Sequence, residues 1–170
     1  MSRLNQAFLA LGSNIDPETH LPQAVESLAE YGKVQGKSSV WQSAPVGDPD
    51  QADFLNAAVL LETEHDATFL CEWVVPEIEK ALNRVRDPQN KNGPRTIDLD
   101  LVLFNSEALR IAHRIIPDPE IVSRVFLAVP LAEIAPDYSV PGLNRTLADI
   151  ALSLKEHAEN QLLRRFEIQL

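Results

Sequence analysis

The order in which strand-like and helix-like runs follow one another through the first 104 residues constrains the fold more than any other feature. A short apolar run, 7–11, closes at Gly12-Ser13-Asn14 and reads as a strand ending in a turn. Asp16 before Pro17 is the expected N-cap of a helix on which Leu21, Ala24, Val25 and Leu28 repeat at helical spacing, up to Tyr31-Gly32. Residues 33–41 read as a second strand and 55–63 as a third, separated by a loop, 43–51, too rich in Pro, Gly and Asp for regular structure. From Asp66, the spacing of Leu70, Val74, Ile78, Ala81, Leu82 and Val85 is helical, with Pro76 as a kink and Arg84 and Arg86 at the far end. Residues 96–104 are the clearest strand in the chain.

Strand, helix, strand, strand, helix, strand is the split β-α-β arrangement of a ferredoxin-like core. Beyond it, Asn105-Ser106 turns the chain into another extended run, 108–116, which Pro117 and Pro119 end. Residues 121–134 contain helix, Thr146 with Asp149 resembles a capping box opening a last helix, and 162–170 is a candidate final strand. The fold class expected is α+β: a β-α-β-β-α-β core extended into a three-layer α/β/α sandwich with a mainly antiparallel sheet. At 170 residues and 45% hydrophobic, the chain has the size of one domain, 1–170.

A formal net charge of −10 disfavours nucleic acid and anionic membranes as partners, so an anionic ligand must meet a local basic cluster or a metal. Cys71 is the only cysteine, which excludes an internal disulfide and a cysteine zinc cage and reads as an inert helix residue in a reducing compartment. No secretory leader pattern and no transmembrane-length apolar run is present. A cytoplasmic monomer is the expectation.

The strand 96–104 poses a chemical question, because it carries two aspartates. With side chains alternating between faces, Ile97, Leu99, Leu101 and Leu103 share one surface while Thr96, Asp98 and Asp100 share the other. The two carboxylates are then neighbours with Cα atoms roughly 6.5–7 Å apart, a span that suits two hard cations held side by side. A half-buried strand with a solvated acidic face is the plainer reading of such a pair. Against it stands the approach loop: Arg84, Arg86, Lys91 and Arg95 lie within twelve residues, with only Asp87 opposing them. Guanidinium forks for phosphate oxygens beside carboxylates for magnesium suit a polyphosphate complex. A solvated helix end, where arginine complements the dipole, is the alternative for the basic residues alone.

Neither a P-loop nor a dinucleotide fingerprint occurs, and His20, His65, His113 and His157 share no ligand spacing. No nucleophile has a nearby base. The residues point to phosphoryl-type transfer by positioning and metals.

Taken in order, Ala-Leu-Gly-Ser-Asn (10–14), Ala-Pro-Val-Gly (44–47), Asp-Phe-Leu-Asn-Ala-Ala (53–58), Arg-Val-Arg (84–86) and Gly-Pro-Arg-Thr-Ile-Asp-Leu-Asp-Leu (93–101) resemble the 6-hydroxymethyl-7,8-dihydropterin pyrophosphokinase family of the folate pathway. Residues 117–131, with Arg124, Phe126 and Pro130-Leu131, continue the resemblance. It implies transfer of the β,γ-diphosphate of ATP, the co-substrate, to the hydroxymethyl oxygen of 6-hydroxymethyl-7,8-dihydropterin, releasing AMP, with two Mg2+ ions on Asp98 and Asp100. It further implies phosphate binding by Arg84 and Arg95, with Arg86 as a further loop arginine, and Glu79, Asp118 and Arg124 near the nucleotide. Pterin binding falls on Ser43 and Pro45 through backbone contacts, on Asn56 through hydrogen bonds, and on Phe54 and Phe126 as a stacking pair. A flat heterocycle with polar edges needs two aromatic faces and an amide offering donor and acceptor together. Without the resemblance, both phenylalanines read more simply as core. The chain departs from the family pattern at Pro76, in place of a common glutamine, at Asn92, in place of a tryptophan, and at Asp118, in place of a histidine. A second reading, a paralogue that keeps the fold as a pterin- or nucleotide-binding regulatory module with little turnover, turns on these three positions.

Overall fold

In the computed structural model, which describes residues 4–157 and 163–170, strand β1 (Asn5–Ser13) lies inside the main sheet. It pairs antiparallel with β4 (Phe54–Thr63) on one side and with β5 (Asp98–Phe104) on the other. Beyond β4 lie β2 (Lys33–Lys37) and β3 (Val40–Ser43), both antiparallel to it, and β8 (Leu163–Phe166) extends the sheet past β3. A separate hairpin joins β6 (Leu109–Ile111) to β7 (Arg114–Ile116).

Helices cover both faces because the strands are apolar on both. Ala7, Leu9 and Leu11 of β1 point into one core with Leu21, Ala24 and Leu28 of α1 (Pro17–Ala29). The same core takes in the segment made of α2 (Ala67–Phe69), a π-helical turn (Leu70–Val74) and α3 (Val75–Ala81). Phe8 and Ala58 point the other way, into a second core with α4 (Val125–Ile134) and α5 (Leu147–His157). Leu21, Leu28, Leu61, Leu70 and Leu131 are fully buried, and each such side chain contributes about 1.5–3 kcal/mol of transfer free energy. The result is the three-layer α/β/α sandwich with an antiparallel main sheet that the sequence predicts.

Local differences from the sequence reading have identifiable causes. The strand expected over 33–41 is broken at Ser38, whose hydroxyl accepts from the Ala58 N–H at 2.8 Å, while the Ser39 N–H donates to the Glu133 carboxylate at 3.1 Å. Asp16 precedes α1 but its side chain makes no cap bond; it adopts φ 44°, and its carbonyl accepts from Thr19 and His20. Just before Pro76 the second helix widens into the π turn, where the Val75 N–H donates to the Leu70 carbonyl, and the wider turn accommodates the proline ring. That helix stops at Ala81, so Val85 is 82% exposed and is not a helix position. Residues 108–116 fold back as the β6–β7 hairpin around Ala112, at φ 52°, and His113.

Strand β5 begins at Asp98 and carries a bulge. Phe8 pairs with Leu103 but Leu9 with Leu101, which leaves Val102 as the extra residue. Leu103 is therefore turned into the second core, away from Leu99 and Leu101 in the first, and Phe104 takes the first-core side. The Val102 carbonyl accepts instead from the Asp118 N–H at 2.9 Å, which ties the 117–119 turn to the strand. Thr146 and Asp149 form the expected reciprocal cap, each backbone N–H donating to the other's side chain.

Candidate active site

Asp98 and Asp100 face Gly12 and Ala10 across the β5–β1 ladder, and these two small residues leave open the space above the carboxylates. A Cβ on Gly12 would stand 3.4 Å from Asn56 Oδ1 and 3.9 Å from Asp98 Cβ, so the glycine keeps two functional side chains accessible to one ligand. Above this floor lies a cavity of about 370 Å³. Its walls are Ser43, Phe54 and Asn56 from β3 and β4, Asn92 and Arg95 from the basic loop, Asp118 and Glu120 from the turn after β7, and Arg124 and Phe126 from the start of α4. The basic loop itself encloses a second cavity of about 420 Å³, lined by Arg84, Arg86, Lys91 and Arg95 among others. Arg95 borders both.

The arginines and carboxylates are already paired. Arg84 Nη1 donates to Glu79 Oε1 at 2.6 Å, to the Ile97 carbonyl at 3.1 Å and to Asp98 Oδ1 at 2.5 Å. Arg95 Nη1 donates to the other Asp98 oxygen at 3.0 Å, and its guanidinium lies 5.7 Å from the Phe54 ring centroid. Arg114, from β7, donates to Asp100 Oδ1. Burial, and then the neighbouring Asp98 charge, push the Asp100 carboxyl up to about 6, against the pull of Arg114. Burial also raises Asp118, opposed by the Glu120 N–H that its carboxylate accepts and by Arg114.

Glu79 does not line either cavity. It is 5% exposed, and its oxygens accept from Arg84, from Arg86 at 3.0 Å and from the Leu99 N–H at 3.1 Å, so it stands behind Arg84 and orients it. Arg84 Nε is a buried donor with no acceptor among the described residues. Asn56 Nδ2 donates to Ser43 Oγ at 2.8 Å and to the Trp41 carbonyl at 3.3 Å. Both amide protons are thereby used within the protein, and Asn56 offers a ligand its carbonyl oxygen as acceptor, not the donor and acceptor together that the sequence reading anticipates. Pro45 lies between Ala44 and Val46, which line the cavity, and is not itself part of the wall. Among the described residues no group of three or more His, Cys, Asp or Glu side chains is gathered to hold a metal. Two adjacent carboxylates without a third suit Mg2+, which keeps waters and takes further oxygens from substrate phosphates.

The profile of the 7,8-dihydro-6-hydroxymethylpterin-pyrophosphokinase (HPPK) family matches residues 8–136, the stretch that supplies every side chain of this site. The chain belongs to the HPPK family. The chain is 44% identical over 133 residues to the 2-amino-4-hydroxy-6-hydroxymethyldihydropteridine pyrophosphokinase of Bacillus subtilis, covering 76% of this chain and 78% of that one. It is 41% identical over 142 residues to the enzyme of the same name from Methylorubrum extorquens, covering 82% and 88%. The crystal structure of wild-type Plasmodium falciparum HPPK-DHPS superposes with a TM-score of 0.72 at 15% identity, over 97% of this chain and 48% of that longer one, and so shares the fold. This HPPK chain thus spans about half the length of such fused relatives.

Two contributors to the HPPK site have no role assigned to them from the sequence. Asn14, which there closes a turn and the first stretch of the family resemblance, binds both loops: its Nδ2 donates to Gln51 Oε1 at 2.8 Å and to the Ala52 carbonyl at 3.0 Å, and its Oδ1 accepts from the Arg95 N–H. Gln51 in turn donates to the Asn92 carbonyl at 2.6 Å. Arg114 is the other; its place beside Asp100 depends on the hairpin, which the apolar pattern of 108–116 does not announce.

Proposed function

We propose that this HPPK chain transfers the β,γ-diphosphate of ATP to the hydroxymethyl oxygen of 6-hydroxymethyl-7,8-dihydropterin and releases AMP. The observation that carries the reading is the meeting, in one cavity, of the Phe54, Phe126 and Asn56 walls with the Asp98 and Asp100 floor. The pterin ring lies between the two phenylalanines, with the Asn56 carbonyl oxygen accepting from its amino edge and the backbone of Ser43 and Ala44 completing the contact. Arg84, Arg86 and Arg95, from the basic loop, and Arg124, at the start of α4, bind the phosphates; the first three line the basic cavity and Arg124 the one above the carboxylates. Glu79 sets the direction of Arg84, and Asp118 borders the triphosphate end.

In the transfer, the hydroxymethyl oxygen bonds to the β-phosphorus, the bond from that phosphorus to the α,β-bridging oxygen breaks, AMP leaves with that oxygen, and the hydroxyl proton passes to solvent. Asp98 and Asp100 would hold two Mg2+ ions, whose charge offsets that of the phosphates. The chain's own residues supply alignment and, through the 43–51 and 87–95 loops, the exclusion of water. The cavity retains the paired carboxylates and the arginines, which leaves the low-turnover paralogue without support. We infer action as a monomer in a reducing cytoplasm, in keeping with a sequence whose single cysteine, Cys71, has no partner for an internal disulfide.

Purified protein incubated with labelled ATP, dihydropterin and Mg2+ is expected to yield AMP and pterin diphosphate in equal amounts. Asp98→Ala and Asp100→Ala should each lower that rate by about 10²–10³-fold or more while the fold is kept. Near-normal turnover in either variant overturns the assignment of the carboxylates.

A further inference from the structure

Among the described residues, Arg114 is the one guanidinium on the carboxylate pair that lines neither cavity. Arg84 and Arg95, which share Asp98, border the basic cavity and have phosphate as an alternative partner. Arg114 comes from a different element, the β6–β7 hairpin, whose Ile111 and Ile116 are anchored in the first core. Its side chain is 24% exposed and its ion-pair partner is Asp100.

We infer that Arg114 is a positioning residue that occupies Asp100 in place of a cation, so that a divalent metal reaches the carboxylate pair together with nucleotide phosphate and not before it. The inference rests on the reading of Asp98 and Asp100 as metal ligands. Its physical basis is the charge count around them. Arg84, Arg86 and Arg95 face Glu79 and Asp98 in one connected set of ion pairs, Arg114 and Asp100 form a separate pair beside it, and Asp118, close enough to act on Asp100, brings the two signs level; the Glu120–Arg124 pair at the cavity adds one charge of each sign. A bare cation gains little from a cluster with no surplus negative charge, and at Asp100 it competes with a guanidinium already hydrogen-bonded. Nucleotide phosphates draw off Arg84 and Arg95 and add negative charge, which reverses the balance. Arg114 has no such alternative; it keeps Asp100 oriented throughout and sets how weakly the nucleotide-free site holds metal.

The test is titration of the intact protein with Mn2+, free ion followed by electron paramagnetic resonance, with and without a non-hydrolysable ATP analogue. Without nucleotide, Arg114→Gln and Arg114→Met should bind Mn2+ roughly tenfold more tightly than the natural protein, the scale of removing one partly screened charge close to the ion. Arg114→Lys, which keeps the charge, should stay near the natural value, and with the analogue present the differences should shrink to about threefold or less, since phosphate then dominates the balance. Neutral variants that remain folded by circular dichroism yet bind Mn2+ equally or more weakly without nucleotide overturn the inference. Asp100→Asn serves as the separate control: if it binds Mn2+ as well as the natural protein does in the presence of the analogue, the metal assignment fails, whatever Arg114 does.

Discussion

Asn14 and Arg95 clasp one another through two hydrogen bonds: the Asn14 N–H donates to the Arg95 carbonyl at 3.1 Å, and Asn14 Oδ1 accepts from the Arg95 N–H at 2.8 Å. The turn after β1 thereby fixes the loop that carries the phosphate-side arginine. Because Asn14 Nδ2 also holds Gln51 and the Ala52 carbonyl, a single buried amide links the two loops that border the cavity.

Asn14→Ala is therefore expected to destabilise the protein by about 1–3 kcal/mol, the cost of leaving buried backbone groups unpaired. Hydrogen exchange should quicken in both 44–53 and 87–95. Quickening confined to one of these loops would show that Asn14 does not couple them; urea denaturation gives the stability term.

Asn56 makes a different prediction, about the ligand. Since its amide protons are spent on Ser43 and Trp41, Asn56→Ala removes an acceptor from the pterin and also frees Ser43 Oγ. Dihydropterin binding should weaken by about 1–3 kcal/mol while nucleotide binding barely changes. Calorimetry with each ligand alone decides the matter, and equal losses for both would mean that the pterin pocket lies elsewhere.

Glu79 is predicted to matter for stability first. Its side chain and that of Arg84 are each only 7% exposed; without Glu79, Arg84 keeps Asp98 and the Ile97 carbonyl, but the buried Leu99 N–H loses its acceptor. Glu79→Ala should cost about 1–3 kcal/mol by chemical denaturation. Glu79→Gln, which can still accept from the Leu99 N–H and from Arg84, should lose clearly less.

The raised Asp100 carboxyl predicts a pH dependence of the metal-free protein. Its folded value, about 6, lies above the ordinary 3.8, so between these values the folded state holds the proton more tightly than the unfolded one. Stability from this group is fully present below pH 3.8 and declines as pH rises through 6. In EDTA, the melting temperature of the natural protein should fall between pH 5 and pH 7.5 relative to Asp100→Asn, which has no such proton to lose. Parallel curves for the two proteins would contradict the assignment.

Periodicity and local motif carry much of this molecule. The alternation in β1, β4 and the start of β5 places Asp98 and Asp100 side by side, and the helical spacing of Leu21, Ala24 and Leu28 assigns α1 its buried face; both follow from one residue's position relative to its near neighbours. The Thr146–Asp149 cap is legible for the same reason. What the chain's own order leaves open depends on partners distant in sequence. Ser38 interrupts a strand because its hydroxyl meets Ala58, and Leu103 changes face because β1 accepts Val102 as a bulge. Asn56 loses its donors to Ser43 and Trp41, and Glu79 lies behind Arg84 instead of against a ligand. Arg114 reaches Asp100 only because a hairpin folds back beneath β5. Each of these is a choice among hydrogen-bonding or ionic partners with no preferred sequence spacing, and burial settles it, since a polar group removed from water must take whichever partner the packing brings within reach.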